Sequence, residues 1–393
     1  MNNGPLIIGA GPAGTAAAIR LGQAGHPSTL IERFSRPTDK VCGDFLGVDA
    51  IERLQSLGVD PIRLGAITIH RLRLISHNHV TEATLPFRAL GLSRRILDDA
   101  LLHRAEAAGA TLRLGETVRR LSRDGAGWQA HVNGVEPINA VDLFLATGKH
   151  DLRDRPRPGV VGGAIGMKMY YDLSTAQAAA LAGTIELFLF SGGYAGLQCV
   201  EAGKAVLCIA LRRTRFHALG GTWPALLGMI QAANPWIKQR LEAATPLLQR
   251  PLAVAGVPYG FLHRRHPTGD PDLFRLGDQA AVIPSLTGDG VAIALHSGVL
   301  AANSWHMGAN ALAYHRQLAH DLGNQMRLAH LLHKVALSAP LQAVTIHGAR
   351  WLPGLLRRAA RGTRVGGRAS GRLTLRGLPC PSWSGIVPPE RFP

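Results

Sequence analysis

The sequence predicts an α/β fold in three parts: a Rossmann-like nucleotide-binding domain with three layers (ββα), an inserted, mostly antiparallel β-sheet domain, and a helical C-terminal region. Three observations predict it. A strand-type run, Leu6–Ile8, leads directly into a glycine-rich turn and an alanine-rich helix. Short strand-like runs dominate the middle of the chain. From about Ala311 onward the pattern is helical until a tail rich in proline and glycine.

The glycine-rich turn has the spacing of a dinucleotide-binding fingerprint. The first glycine permits the tight turn, the second lets the backbone approach a pyrophosphate, and the third lets helix and strand pack closely. The helix N-terminus then faces the anion. An acid closes the second strand, where it can accept hydrogen bonds from a ribose. Because all parts follow in the right order, we favour a dinucleotide site over a glycine-rich turn between core elements. Its predicted contacts are Gly9, Gly11, Pro12, Ala13, Gly14, Glu32 and Arg33.

Length and composition predict a globular protein of two or three domains. The chain has 393 residues, of which 46% are hydrophobic and 46 are glycine. The N-terminal apolar segment runs straight into the fingerprint and is not typical of a signal peptide. The sequence has no run of about 20 apolar residues, so we expect no membrane span. Four scattered cysteines have no metal-binding spacing, so we expect a cytoplasmic protein with free thiols.

The net charge of +17 is concentrated near the C-terminus. No acidic residue lies between Asp321 and Glu390, whereas ten lysines and arginines do. This pattern favours an anionic partner such as acidic lipid, an acidic protein or carrier, or nucleic acid, although a solvated basic surface explains it equally well. Aromatic residues are not interleaved with the arginines, so nucleic acid is not expected. The segment 350–358 looks amphipathic, but Pro353 and Gly354 interrupt it, so membrane contact is not favoured.

The order of these patterns predicts a discontinuous nucleotide domain. We assign residues 1–65, 94–155 and 268–305 to it. Residues 66–93 and 156–267 would form the substrate domain, and 306–393 the basic C-terminal region. The charged, proline-rich stretch 154–158 marks a domain crossing.

Four motifs in order resemble FAD enzymes of the glutathione reductase-like superfamily. The first is the fingerprint with its acid. The second, Ser93–Asp98, is similar to the Arg-x-x-Leu-Asp helix start of aromatic hydroxylases and geranylgeranyl reductases. The third, Leu145–Gly148, resembles the strand that closes the FAD domain, and the fourth is a late Gly-Asp motif. The resemblance covers about residues 1–305. It implies further FAD contacts from Cys42, Gly43, Arg94, Thr147, Gly148, Gly277, Asp278, Pro284, Gly288, Asp289 and Gly290.

The physical chemistry of the late motif agrees with that resemblance. Asp278 follows an apolar strand and can accept a hydrogen bond from a ribityl hydroxyl. Gly288 and Gly290 open the helix that continues at Val291, which leaves bare amides near the flavin. Such a helix start stabilises negative charge on a reduced flavin. An ordinary strand-to-turn signal is the alternative for Gly277-Asp278 alone.

Two segments narrow the subgroup. Lys40–Leu46 resembles the Lys-x-Cys-Gly segment of a reductase-like branch that also holds tailoring monooxygenases of natural-product pathways. Ser191–Leu197 resembles the substrate-domain loop that faces the flavin there. The characteristic boxes of geranylgeranyl reductases and flavin halogenases are missing, as is the Asp-Gly signature of NAD(P)H-dependent aromatic hydroxylases. A related branch hydroxylates a tryptophan in a partner protein during quinone cofactor formation.

The candidate catalytic residues are Cys42, Lys168 and Tyr194, which we expect to face the substrate. Each has a simpler explanation: Cys42 as a small residue in a glycine turn, the other two as packing or solubilising side chains of a sheet. Histidine pairs three residues apart, such as His330 and His333, lack a nearby acid or cysteine, so no metal site is expected. Gly159–Gly166 follows no strand, so we expect a loop and no separate NAD(P)H domain.

The resemblance implies a single-component FAD-dependent monooxygenase. Reduced flavin would take up molecular oxygen as a C4a-hydroperoxide and hydroxylate an electron-rich, aromatic substrate, either a natural-product intermediate or a residue of a partner protein. NAD(P)H or a flavin reductase would supply electrons. The alternative is an FAD-dependent reductase of carbon–carbon double bonds. A third hypothesis is a flavoprotein that docks a protein or carrier through its basic C-terminal region.

Overall fold

The computed structural model describes residues 4–125, 127–157, 163–264, 272–351 and 354–364. The predicted loop 159–166 lies partly, and the tail from residue 365 wholly, outside these ranges. The strands are β1 (Leu6–Ile8), β2 (Thr29–Glu32), β3 (Phe45–Leu46), β4 (Ile67–Ser76), β5 (His79–Gly91), β6 (Thr111–Leu114), β7 (Val118–Asp124), β8 (Gly127–Val132), β9 (Ile138–Ala140), β10 (Leu143–Leu145), β11 (Ala164–Asp172), β12 (Thr184–Phe190), β13 (Gly193–Cys199), β14 (Ala205–Arg212), β15 (Thr245–Pro246), β16 (Leu252–Val257) and β17 (Leu273–Arg275).

The helices follow the same chain order. They are α1 (Pro12–Gln23), α2 (Val48–Ser56), α3 (Arg94–Ala107), α4 (Thr175–Leu181), α5 (Arg213–Ala218), α6 (Trp223–Ala233), α7 (Pro235–Arg240), α8 (Gly290–His306), α9 (Ala311–Leu337), α10 (Ala339–Trp351) and α11 (Gly354–Gly362). Short 3₁₀ turns cover Gly277–Gln279 and Ser285–Thr287.

The nucleotide domain has the predicted ββα layers. Its parallel sheet has the strand order β17-β10-β1-β2-β6. Ile7 packs against α1, α3 and α8 on one face, while Leu6 and Ile8 pack against Trp128 of the small β7-β8-β9 sheet on the other. A strand that is buried on both faces reads as a continuous apolar run, which is why Leu6–Ile8 shows no alternation.

The second sheet is mostly antiparallel, as expected. Its order is β15-β11-β14-β13-β12-β4-β5-β3, with β16 on β11, and only the β12–β4 pairing is parallel. One face packs against α6 and α7. The segment Ser191–Leu197, which resembles a loop, is mostly the strand β13, paired on both sides. Its glycines concealed the strand pattern from the sequence analysis.

The C-terminal helices pack against both sheets. Tyr314 and His315 of α9 are buried beside β17, and α10 contacts α9, β4 and β5. The helix expected to open at Gly288 and Gly290 begins at Gly290, after the 3₁₀ turn Ser285–Thr287. Within the described ranges, no helix has the length and hydropathy that a membrane span requires.

Candidate functional site

A cavity of about 340 Å³ lies where the two sheets and the C-terminal helices meet. The turns after β1, β10 and β17 reach it through Gly11, Gly148 and Asp278. A second cavity of about 30 Å³ is lined by Glu32 and also borders Gly11. The two cavities therefore form one elongated path along the carboxyl ends of the parallel strands, where ligands bind in open α/β sheets.

The three fingerprint glycines have different structural reasons. Gly9 has φ +106°, and a Cβ there would lie 2.4 Å from the Ala146 carbonyl oxygen. A Cβ on Gly14 would lie 2.0 Å from the Gly9 carbonyl oxygen. At Gly11 the nearest atom to such a Cβ is Arg94 Nη2, at an ordinary contact distance of 3.8 Å, so neither backbone nor a core side chain crowds Gly11. No side chain of the described residues caps α1. The turn thus presents free amides to an anion.

Glu32 is held in the small cavity, at one end of this path. Its Oε2 accepts a hydrogen bond from Ala10 N at 2.9 Å and its Oε1 accepts one from Phe34 N at 3.1 Å. The remaining lone pairs can accept from ribose hydroxyls. Arg33, predicted as a contact, is exposed and stacks over Phe34 at 4.6 Å; Arg36 and Lys40 line the small cavity instead.

Arg94 is a fixed cation beside Gly11. Its Nε and Nη2 donate to the two carboxylate oxygens of Asp98, each at 2.8 Å. Burial lowers the pKa of Arg94, but the Asp98 carboxylate outweighs burial and raises it, so the guanidinium stays charged. This geometry fits a pyrophosphate that accepts hydrogen bonds from the turn amides and from the Arg94 guanidinium.

The late Gly-Asp motif packs directly on the first helix. Gly277 has φ +57°, donates its N–H to Ser297 Oγ at 2.8 Å, and lies against Ala13 of α1. Asp278 stands half-buried on the cavity wall. Space over Gly290 is open, and among the described residues no side chain caps α8. An uncapped helix start, an acid and a bare glycine surface fit a flavin ring and its ribityl chain.

Several predicted contacts support the wall from behind. Thr147 Oγ1 donates to the His150 carbonyl at 2.7 Å, and Pro284 is buried behind Ser285. Gln279 was not identified from the sequence, yet its Nε2 donates to the Gly148 and His150 carbonyls at 2.9 and 3.1 Å. Gln279 therefore connects the Gly-Asp motif to the motif that ends at Gly148. The only signal for this role in the sequence was a polar residue directly after the Gly-Asp pair.

The Cys42 loop is held by a buried ion pair. Asp44 Oδ2 accepts hydrogen bonds from Lys168 Nζ and from Tyr170 Oη, both at 2.6 Å. Lys168 and the Asp44 side chain are fully buried. Asp44 itself has φ +55°, a conformation that costs energy outside glycine. The interactions of this carboxylate therefore hold a strained turn, which places Cys42 and Gly43 on the cavity wall.

Lys168 requires a correction. We expected it to face the substrate, but its ammonium group points into the protein and also donates to the Lys40 carbonyl at 3.2 Å. Because side chains alternate along β11, Lys168 lies on the side of the sheet that faces the nucleotide domain. There its ammonium group binds Asp44 behind the cavity wall. Cys42 and Tyr194 do border the cavity.

Three hydroxyl groups, which we call the hydroxyl cluster, meet on the wall of the large cavity before α8. Ser285 Oγ lies 2.9 Å from Tyr194 Oη and 2.9 Å from Tyr259 Oη. Leu286 N donates to Tyr194 Oη at 3.1 Å. Burial raises the pKa of both tyrosines well above neutrality, so both remain protonated. The edges of both rings pack on His333, whose pKa burial lowers to about 4.

Most of the remaining surface of the large cavity is apolar. Sheet strands and C-terminal helices supply its aliphatic and aromatic side chains, which include Leu72, Leu74, Phe87, Leu187, Leu189 and Leu356. Such a surface stabilises an apolar ligand by excluding water from it.

A residue far from every motif completes the site. Arg364 lies just after α11, borders the cavity, and donates to the Thr287 carbonyl at 2.6 Å. Its Nη1 lies 2.5 Å from Asp289 Oδ1. Asp289, predicted as a cofactor contact, is fully buried behind the wall, and burial raises its pKa to about 7. Among the described residues, no group of three histidine, cysteine or acidic side chains could hold a metal ion.

Comparison with known proteins agrees with this geometry. The family described as FAD binding domain matches residues 5–140. A menaquinone reductase of Mycolicibacterium smegmatis is 25% identical over 324 residues, which cover 76% of this chain and 75% of that protein. Digeranylgeranylglycerophospholipid reductase 2 of Methanopyrus kandleri is 24% identical over 313 residues, 75% of each chain.

Solved structures share the whole fold. A flavoprotein/dehydrogenase from Cytophaga hutchinsonii has a TM-score of 0.74 at 14% identity and covers 91% of this chain and 92% of its own. The flavin-dependent brominase Bmp2 has a TM-score of 0.73 at 17% identity, with 95% and 97% covered. At these identities the likeness concerns the fold. The sequence matches and the fold together confirm the predicted FAD superfamily.

Proposed function

We propose that this chain, an FAD-dependent oxidoreductase, is a monooxygenase that hydroxylates a hydrophobic aromatic compound bearing a ring oxygen. The observation that carries the proposal is the hydroxyl cluster at the flavin end of an otherwise apolar cavity. A substrate with one oxygen-bearing ring and an apolar remainder matches that division.

The cofactor residues follow from the path described above. Glu32 would bind the adenosine ribose, Gly11 and Arg94 the pyrophosphate, and Asp278 the ribityl chain, while the amides at Gly290 face the ring. FAD, when bound, supplies the electrons and activates molecular oxygen. The chain's own residues then orient the substrate, exclude water and hold its oxygen.

The number of protons in the hydroxyl cluster supports recognition of an acceptor oxygen. Three hydroxyls carry three protons, and the two contacts at Ser285 Oγ use two of them. One O–H is therefore left that can donate to a group outside the cluster. Because both tyrosines stay protonated, the cluster donates to an acceptor oxygen such as a phenol, phenolate or quinone oxygen.

Oxygen incorporation tests the reaction. The holoenzyme is photoreduced without NAD(P)H or a flavin reductase, because the natural electron donor is a separate question. It is then mixed with isotopically heavy O₂ and a phenol with a pentadecyl chain. We expect a product that contains one heavy oxygen atom. Reoxidation of the flavin with unchanged phenol, while the phenol binds, would contradict the monooxygenase proposal.

A reductase of carbon–carbon double bonds is the second candidate. Similarity to two reductases, one named for an isoprenoid lipid, favours it, and so does the position of Cys42 on the wall of an apolar cavity. The photoreduced holoenzyme and a polyprenyl quinone, mixed without oxygen, would then yield a product that keeps two added hydrogen atoms in its prenyl chain after air has reoxidised any quinol to the quinone. That product, together with no oxygen incorporation, would replace the first proposal with the second.

A further inference from the structure

The C-terminal helices have one face on the cavity and one face in solvent. Leu332 and Val335 of α9, and Leu356, Ala359 and Ala360 of α11, line the cavity from inside. α10 contacts both neighbouring helices and the strands β4 and β5. The outward side chains of α9, α10 and α11 therefore form one surface, which we call the outer face.

Positive charge is concentrated on this outer face. Arg357, Arg358 and Arg361 are exposed on the side of α11 opposite its cavity residues. Arg327 and Lys334 are exposed along α9 at helical spacing. No aspartate or glutamate occurs between residues 322 and 389 to neutralise these groups.

Large apolar side chains are exposed between these charges. Leu331 of α9 is 58% exposed, and Leu341 and Val344 of α10 are 45% and 70% exposed. Leu331 lies between Arg327 and Lys334 on the same helical face. Exposed leucine and valine amid arginine and lysine are typical of a surface that rests in a lipid headgroup layer.

We propose that the outer face binds an anionic lipid bilayer. The basic residues attract acidic headgroups, while Leu331, Leu341 and Val344 enter the boundary of the acyl chains. An acidic protein or nucleic acid would complement the positive charge of the outer face, but neither accounts for its exposed apolar side chains. The interruption that Pro353 and Gly354 predicted no longer counts against membrane contact, because α11 begins at Gly354 and is amphipathic on its own.

The same helix then serves both the membrane and the cavity. The inner residues of α11 line the apolar end of the site, and its outer arginines face away from it. A ligand that dissolves in the bilayer would therefore meet the cavity beside the docking surface. The membrane proposal itself rests on charge and exposure and holds whether the enzyme is an oxygenase or a reductase.

Vesicle flotation of the full-length holoenzyme tests the proposal. The vesicles contain phosphatidylglycerol and phosphatidylcholine, with pure phosphatidylcholine as the neutral comparison. We expect binding to the anionic vesicles and little to the neutral ones, with binding that weakens as salt rises. The triple variant R357E/R358E/R361E should bind at least about a hundredfold more weakly, since each basic residue near an anionic surface contributes about 1 kcal/mol and each new glutamate is repelled.

A matched variant separates a docking surface from general charge attraction. R95E/R119E/R120E makes the same charge change at exposed arginines of α3 and β7, far along the sequence from the outer face. It should bind within about threefold of the wild type. Equal loss in the two triple variants, or no flotation of the wild type with anionic vesicles, would overturn the proposal.

The apolar contribution has its own pair of variants. L331S/V344S should weaken binding even at high salt, whereas V141S, at a valine that is 73% exposed in the nucleotide domain, should not. If L331S/V344S binds as the wild type does at every salt concentration, while it remains folded, the outer face does not enter the bilayer.

Discussion

Two buried carboxylates stand behind the cavity wall, and the protein holds them differently. Asp44 accepts hydrogen bonds from Lys168 and Tyr170 at 2.6 Å, and Arg94 N lies 3.3 Å from its other oxygen. Asp289 has one strong partner, the guanidinium of Arg364. Burial raises the pKa of both acids; at Asp44 the Lys168 ammonium and two hydrogen bonds oppose it, and at Asp289 Arg364 does.

The difference concerns how firmly each loop is held. Lys168 lies inside a sheet strand, so the loop of Cys42 and Gly43 is fixed to the most regular part of the molecule. Arg364 follows the last described helix, so the loop of Gly288 and Gly290 depends on a C-terminal segment. We therefore expect the first ion pair to be essential for folding and the second to depend on pH.

Removal of Lys168 should have the largest effect. Lys168→Met leaves Asp44 buried without its cation, which should lower the free energy of unfolding by about 3–5 kcal/mol. Denaturant unfolding measures this, and D44N/K168M should recover part of the loss. The control is Arg113→Ala, which breaks a half-exposed ion pair with Glu116 and should cost at most about 1 kcal/mol. A Lys168→Met protein as stable as this control would show that the pair does not hold the loop.

Removal of Arg364 should cost less. At about pH 8, Arg364→Met should lower the free energy of unfolding by about 1–3 kcal/mol, because Asp289 can avoid an unpaired charge by taking up a proton. At about pH 5.5 the loss should shrink, since Asp289 is then mostly neutral. Unfolding curves at the two pH values measure both quantities. A loss that is the same at both would mean that Arg364 acts through packing alone.

Protonation of Asp289 should make the free energy of unfolding depend on pH. Its pKa in the folded state is about 7, above that of an unfolded aspartate, so its stabilising contribution is full below the unfolded pKa and is lost as pH rises through 7. Between about pH 8 and pH 5, the wild type should gain roughly 2–3 kcal/mol relative to Asp289→Asn. A stability difference that does not change with pH would contradict the shifted pKa.

The hydroxyl cluster should give the smallest effect. Tyr194→Phe removes one donor from the cluster, and we expect the affinity for an alkyl phenol to fall about three- to tenfold. Tyr171→Phe is the control, because Tyr171 is buried in the same sheet against α6 and α7. Flavin absorbance changes on titration report both affinities. If the two variants bind the alkyl phenol with equal affinity, the hydroxyl cluster does not take part in ligand recognition.

Sequence reasoning succeeded where contacts are local along the chain. Gly9, Gly11 and Gly14 take their roles from one strand-turn-helix unit, and an apolar run followed by Gly277-Asp278 repeats that logic. The same strand-turn-helix units predicted the three layers of the nucleotide domain. β13 was not predicted, because its two glycines hide the alternation that marks a strand.

Long-range pairs were not accessible in this way. Lys168 and Asp44 are 124 residues apart, and nothing in either segment indicates the other. The hydroxyl cluster likewise joins a sheet strand to the loop before α8, across 91 residues between Tyr194 and Ser285. Arg364 stood within a run of arginines that suggested an external anionic partner, yet its own anion is Asp289.

The sequence by itself determined the FAD-type nucleotide domain, the mostly antiparallel second sheet and the helical C-terminus, because backbone geometry and hydrophobic periodicity are local properties. The tertiary structure alone decided which polar side chains face the cavity and which support it from behind. Burial and distance set that division, and both depend on how separate segments pack. From the sequence, Lys168 could have been a catalytic lysine, but its buried contact with Asp44 gives it a structural role. Arg364, which no motif indicated, borders the cavity.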